Sequence, residues 1–407
     1  MTTRKTFKDL VRDRAARTGE SYTTARRRVL AQAPARSHHE SALLARLLTG
    51  AGYLAAHTGR PFTERTVCGL GGGIGFMYAV FEYRGLPPIT TIVAQHHPQP
   101  WAPAVLDRLG IAHQVEHSAS PRAALTALDR HLAAGRAVHC LVDLSGLPWH
   151  DTAMPSAVYP VVVTGRDGDD LLLDDDAAAP RRLPADQFAA AWSAHRQGRH
   201  QRITLSTPGS AVDVAPALRP AVSTTVAHLT GPVLGNAFDV NFGLSGMRRL
   251  AAQLRDEKGK TGWVRRFAAP GALTFATWRL YECLEIQHTA PAATRPLYAD
   301  FLDEAAAVLR DDRLSDAAES WRLAGGHWSA VAALAREIAG PGGPIVTEGV
   351  WQKLAGPGGD AAADDAGKPD VAEPAQGDRP ALLAGLADEV DEAIRAEEEA
   401  LAALGTL

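Results

Sequence analysis

His38-His39-Glu40-Ser41-Ala42-Leu43-Leu44-Ala45-Arg46-Leu47-Leu48 puts two imidazoles and a carboxylate at the head of an apolar segment. Leu43, Leu44, Leu47 and Leu48 recur at helical spacing, which predicts a buried helix over 41–48. A glycine run, CGLGGGIGFMY (68–78), follows and leads into apolar residues. The β-branched run ITTIVAQ (89–95) predicts a strand. Pro121 to Ala134 predicts a helix with Leu125, Leu128 and Leu132 on one face, and AVHCLVDL (137–144) a strand. YPVVVTGRDGDDLLLDDD (159–176) predicts a hairpin turning at its Asp-Gly-Asp-Asp, and Pro184 to His195 a helix. Together these make 37–205 a mixed α/β (α+β) unit.

The rest of the chain is organised differently. Residues 1–33 carry nine Lys or Arg against three Asp or Glu and predict a basic helical hairpin broken at Thr18-Gly19-Glu20-Ser21. Residues 206–228 are rich in Pro, Ser, Thr and Val and predict a linker. Residues 229–340 predict an all-helical domain, with apolar helical spacing over 244–254, 272–287, 295–309 and 314–338. Residues 341–379, dense in Gly, Ala, Asp and Pro, predict a disordered linker. Residues 380–407 predict a last helix with an acidic outer face. That face complements the basic N-terminal module, within one subunit or between two copies in a homo-oligomer.

Composition narrows the function classes. In 407 residues the hydrophobic share is 46% and the formal net charge −4, so no global field calls for nucleic acid or an anionic membrane. No apolar run approaches the roughly 20 residues that cross a bilayer, and no apolar signal core follows the first charges, which predicts a cytoplasmic protein. The abundance of Ala, Arg and Gly points to a high-GC bacterial source. Cys68, Cys140 and Cys283 are widely spaced and form neither a disulfide frame nor a zinc knuckle. The glycine run lacks the Gly-Lys-Ser/Thr ending of a phosphate loop and the spacing of a dinucleotide fingerprint, so small residues for close backbone approach explain it better.

These stretches, in this order, resemble the butirosin biosynthesis protein H family. His38-His39-Glu40-Ser41 is similar to that family's His-Cys-x-Ser/Thr helix start. Gly69-Leu70-Gly71-Gly72-Gly73-Ile74-Gly75-Phe76 is similar to its Gly-Leu-Gly-x-Gly-x-Gly-Phe element. Asp143-Leu144 with Leu147-Pro148-Trp149 resembles its Asp-Leu-x-x-Leu-Pro-Tyr segment, and Val161-Val162-Val163-Thr164-Gly165-Arg166-Asp167 its Val-Val-Gly-Tyr-Asp strand. Phe242-Gly243-Leu244-Ser245-Gly246 and Arg295-Pro296-Leu297-Tyr298 fit the helical part that follows. The resemblance implies a papain-like cysteine-peptidase/acyltransferase fold followed by an all-helical domain. It also implies acyl transfer, in natural-product biosynthesis, from a carrier-protein thioester to an amine.

The same alignment of motifs exposes two departures. His39 stands in the cysteine position, and Tyr159 or Pro160 stands where the family has histidine. Only the acid region Asp174-Asp175-Asp176 is kept. Ser41 lies two residues past the nucleophile position, about 200° around the helix, and does not replace the thiol. The expected catalytic set is therefore His39, Glu40, Asp175 and Asp143, with Gly71, Gly72, Gly73 and Tyr159 lining a substrate site for a small-molecule or carrier-bound acyl group. His39 at a helix start is expected to be a neutral base, with Glu40 beside it.

Two alternatives stay open. In one, His38, His96, Glu285 and His288 hold a transition metal, iron or zinc. Glu285-x-x-His288 would share a helix face, and His96-His97 follow a strand end. Against this, Glu282 and Glu285 on a charged helix face suit ion pairs with Arg279 and Arg295. In the other alternative the chain is an inactive scaffold that binds a carrier or peptide. His113, His117, His131, His139 and His150 carry no spacing signal and are expected at the surface or satisfied in the core.

Overall fold

A computed structural model describes residues 38–82, 87–95, 100–150, 158–177, 179–206, 209–287, 289–340 and 378–405. The expected hairpin at 1–33, the paired His96 and His97, His288, and nearly all of the expected linker at 341–379 lie outside the described residues.

The apolar helix forms as its spacing requires. Helix α1 (His39–Gly50) buries Leu43, Leu44, Leu47 and Leu48, and two short strands, β1 (Leu54–Ala55) and β2 (Arg60–Pro61), follow it. Helix α2 (Glu64–Leu70) starts at Thr63, whose side chain accepts from the Thr66 N–H, and ends in the glycine turn. Strands β3 (Ile74–Phe81) and β4 (Ile89–Gln95) pair as an antiparallel hairpin.

The main sheet has six antiparallel strands in the order β5-β10-β6-β7-β8-β9. These are β5 (His113–Glu116), β6 (Val138–Asp143), β7 (Val158–Asp167), β8 (Asp170–Asp174), β9 (Arg181–Pro184) and β10 (Arg202–Leu205). Helix α3 (Trp101–Arg108) leads from β4 into β5, and α4 (Pro121–Ala133) and α5 (Ala185–Ala194) connect strands of the sheet. The VVV run sits in central strand β7, where both faces are covered. Val161 and Val163 join α4 and α5 in one apolar layer, and Val162 joins the layer shared with α1.

Where a linker is expected, the structure corrects the reading. Residues 211–212 form strand β11 (Ala211–Val212), parallel to β1, and helix α6 (Ala215–Thr230) follows. Pro216 suits the first turn, whereas Pro220 removes a helix hydrogen bond. Burial of Leu218, Ala221, Val222, Thr225 and Leu229 on one face offsets that loss.

The remaining helices are α7 (Gly243–Arg255), α8 (Trp263–Arg266), α9 (Ala272–Glu285), α10 (Arg295–Leu309), α11 (Asp312–Ala339) and α12 (Arg379–Leu404). They do not close a core of their own. One apolar cluster runs from Leu43 and Leu44 of α1, through Tyr78 and Ile92 of the β3–β4 hairpin, to Leu383 and Val390 of α12. No helix among the described residues is long and apolar enough to cross a membrane.

A buried ion pair ties α12 into this core. Arg295 and Glu397 have fully buried side chains, with Arg295 Nε donating to Glu397 Oε1 at 2.8 Å. Trp328 Nε1 donates to the same oxygen at 2.7 Å. Arg295 Nη1 donates to the carbonyls of Ala94 and Ala293. Removing one partner leaves a buried charge unpaired. Glu397→Ala is therefore expected to destabilise by about 3–5 kcal/mol, while Arg295→Met with Glu397→Leu recovers most of that, both read from urea unfolding midpoints.

Candidate active site

The head of α1 is a set of paired polar groups. Buried, it cannot leave its end N–H groups to water. The His38 N–H donates to Glu64 Oε1, carried on the first turn of α2. The His38 ring lies 2.6 Å from Ser41 Oγ through Nδ1 and 2.6 Å from Gln95 Oε1 through Nε2. The Gln95 carbonyl oxygen can only accept, so Nε2 carries the proton and Nδ1 accepts from the Ser41 hydroxyl. His38 has no nitrogen left for a metal.

His39 turns to the sheet instead. Its Nε2 donates to the Pro160 carbonyl at 2.9 Å, and the Tyr159 hydroxyl lies 3.3 Å from Nδ1. The two rings stack at 4.2 Å. Burial holds the His39 imidazole below its usual pKa, so the neutral ring is the working form. Burial likewise pushes the Tyr159 hydroxyl up and keeps it protonated, able to donate to Nδ1. Both nitrogens of His39 are thus engaged, which its sequence position alone did not disclose.

The three aspartates at the end of β8, Asp174, Asp175 and Asp176, divide their work. Arg46 of α1 grips Asp174 through Nε and Nη2, both at 2.7 Å, and Asp176 through Nη1 at 2.6 Å. Asp175, on the alternate side, accepts from Trp149 Nε1 and from Arg181 Nε at 3.3 Å. His150 Nε2 stands 3.3 Å from Asp175 Oδ2, at an angle outside hydrogen-bond geometry. Burial would raise the Asp175 carboxyl, but His150, Trp149 and Arg181 hold it below the usual range. The His150 ring meets the Tyr159 ring edge-on at 4.8 Å. His150, expected to be inert, is the second histidine of the site. The signal available was its place directly after the Leu147-Pro148-Trp149 segment.

Other expected members lie elsewhere or act otherwise. Glu40 is half-buried, makes no hydrogen bond to His39, and burial pushes its carboxyl up to about 7. Asp143 caps the turn after β6, accepting from the Ser145 N–H at 3.0 Å and its hydroxyl at 2.5 Å, so it serves that turn and not His39. Gly71, Gly72 and Gly73, expected to line a substrate site, are buried. A Cβ on Gly71 would sit 2.0 Å from the Trp101 indole, and one on Gly73, at φ +59, would sit 2.2 Å from the Tyr298 ring. The Gly72 carbonyl accepts from Thr225 Oγ1 at 2.6 Å.

Two of the four expected metal ligands, His96 and His288, lie outside the described residues. Among the described residues no three His, Cys, Asp or Glu side chains come together to hold an ion. Glu285 accepts from Ser329 Oγ at 2.7 Å, and the expected Arg279 ion pair forms with Glu282 at 2.6 Å. Arg295 pairs with Glu397 and not with the α9 carboxylates. All three cysteines are buried free thiols, and burial pushes Cys68 up to about 12.

His139 also departs from expectation. It is buried on β6, and among the described residues neither ring nitrogen has a hydrogen-bond partner. Burial pulls it down to about 4, with the neighbouring His39 adding to the effect.

Residues 39–176 match the family model described as butirosin biosynthesis protein H, N-terminal. Residues 186–347 match a domain of unknown function, DUF4872. The second match begins in helix α5, ahead of strand β10, and runs on through helix α6 into the helices that follow. A solved structure described as a C39-like peptidase from Bacillus anthracis is similar at 14% identity and a TM-score of 0.29, over 43% of this chain and 92% of that one. No curated protein matches.

The depressed His139 sets a pH dependence. An unfolded histidine titrates near 6.5, so between pH 6.5 and 4 the unfolded chain takes up a proton that the folded one refuses. This residue's contribution to stability is intact above pH 6.5 and falls as pH drops, by about 2 kcal/mol at pH 5. His139→Leu is expected to narrow the difference in melting temperature between pH 7.5 and pH 5 relative to the parent chain. An unchanged difference would show that His139 is not the group responsible.

Proposed function

We propose that this chain, whose residues 39–176 belong to the butirosin biosynthesis protein H N-terminal family, transfers an acyl group from a carrier-bound thioester to an amine by direct attack, without an acyl-enzyme. The observation that carries this reading is Asp175 set against His150 beside the head of α1. Family membership supports the papain-like scaffold and the acyl-transfer class. A covalent intermediate needs a nucleophile at the helix head, where this chain has a histidine with both nitrogens already bonded.

The chemistry then falls to one base. The imidazole of His150, set beside Asp175, takes the proton from the amine as the amine nitrogen attacks the thioester carbonyl carbon. The carbon–sulfur bond breaks, and His150 returns the proton to the departing thiolate. Tyr159 and His39 form the wall against which the acyl group lies. Holding both reactants in one cleft supplies the rate that a covalent step would otherwise give.

A second reading, a binding scaffold without turnover, is favoured by the same saturation of His39. One experiment separates the two. The protein is given an acyl N-acetylcysteamine thioester and a primary alkylamine, and thiol release is followed. Direct transfer predicts amide formation that falls by about a hundredfold or more in His150→Ala and in Asp175→Asn. It also predicts an unchanged intact mass when the protein meets the thioester alone. An acyl adduct on the protein, or parent rates in His150→Ala, sinks the direct mechanism. Saturable thioester binding with no amide under any condition assigns the scaffold.

A further inference from the structure

A cleft of about 600 Å³ opens between the β1–β2 segment with the start of α2 on one side and α10 on the other. It is separate from the His39 site, since none of the residues lining it bonds His39, Tyr159, His150 or Asp175. Its volume falls in the usual range for small-molecule sites.

Its floor is a neutralised carboxylate. Glu304 accepts from Thr66 Oγ1 at 2.9 Å and from Arg65 Nε at 3.2 Å, and His57 Nε2 lies 3.0 Å from it. Its side chain is largely buried and its lone pairs are occupied, so it shapes the cleft and does not reach out of it. The walls differ in sign. On one, the Arg60 guanidinium makes no hydrogen bond or ion pair with any other described residue, and Arg65 is about half exposed. On the other, Asp300 and Asp303 share a single nitrogen of Arg322, at 2.6 and 2.5 Å. Two carboxylates on one guanidinium leave one negative charge uncompensated. Ala55, Pro61 and Ala307 supply apolar surface between the walls.

An uncommitted cation facing an excess anion across an apolar gap selects a ligand that carries both charges. A ligand with only one kind of charge would satisfy one wall and be repelled by the other. We propose that this cleft binds a small zwitterion of the amino-acid or dipeptide class, with its carboxylate on Arg60 and its ammonium on the Asp300–Asp303 pair. The inference is independent of the acyl-transfer reading, because it uses no residue of that site.

Isothermal titration of the full chain tests it, with glycylglycine as the probe. 1,4-Diaminobutane and glutarate serve as ligands of one charge type. Saturable binding of glycylglycine with Kd on the order of 1 mM is expected, with both controls weaker by about tenfold or more. Arg60→Gln and Asp303→Asn should each weaken it by about tenfold with unchanged melting temperature, since both side chains are exposed. Ala307→Trp fills the gap without altering either charge and should abolish binding. The proposal is overturned if glycylglycine gives no saturable heat, if a control binds as tightly, or if the variants bind like the parent.

Discussion

Burying the N-terminus of α1 between the sheet and the β3–β4 hairpin is the constraint from which the rest of the site follows. A helix start carries N–H groups without helical acceptors, and in an apolar layer each must find a partner. Here Glu64 takes the His38 N–H, and the His38 ring spans Ser41 and Gln95. This fixes α1 to α2 and to β4 together. His39, one residue on, is then held toward β7 and fills its two nitrogens with the Pro160 carbonyl and the Tyr159 hydroxyl.

The same constraint explains why the surrounding elements are so close. The glycine turn after α2 must pass under Trp101 and Tyr298 to bring Glu64 and β3 into place, and no side chain fits there. The Thr225 hydroxyl of α6 satisfies the Gly72 carbonyl that the turn leaves exposed. Arg46, on the same helix as His39, draws Asp174 and Asp176 away and leaves Asp175 to face His150. Arg295 reaches from the buried ion pair with Glu397 to the Ala94 carbonyl, so the last helix is joined by two bonds to the residue preceding Gln95, which holds His38.

The proposed chemistry differs from that of a thiol enzyme with one residue changed. Cysteine at a helix head owes its reactivity to a stabilised thiolate. Histidine in the same place experiences the opposite pressure, because the dipole and burial both disfavour its cation. Such a ring becomes a neutral, hydrogen-bonded wall. In the proposed mechanism the acid–base pair is Asp175 with His150, and His150 comes from a different segment than the strand position now occupied by Tyr159 or Pro160.

The sequence by itself determined the elements whose signal is local. The spacing of Leu43, Leu44, Leu47 and Leu48 specified α1, the VVV run specified a strand, and Asp-Gly between apolar runs specified the β7–β8 turn. By resemblance, it also marked His39, and Tyr159 or Pro160, as the positions that depart from the family's motif. Tertiary structure alone decided the rest, because partners far apart in the chain set a side chain's role. Asp143 and Asp175 are equally acidic in sequence, yet one caps a turn and the other faces His150. Of the five histidines without a spacing signal, His150 stands beside a carboxylate, whereas His139 is buried on β6 with neither ring nitrogen hydrogen-bonded among the described residues. Pro216 and Pro220 suggested a linker, and only the apolar partners of α6 showed that burial outweighs a lost hydrogen bond.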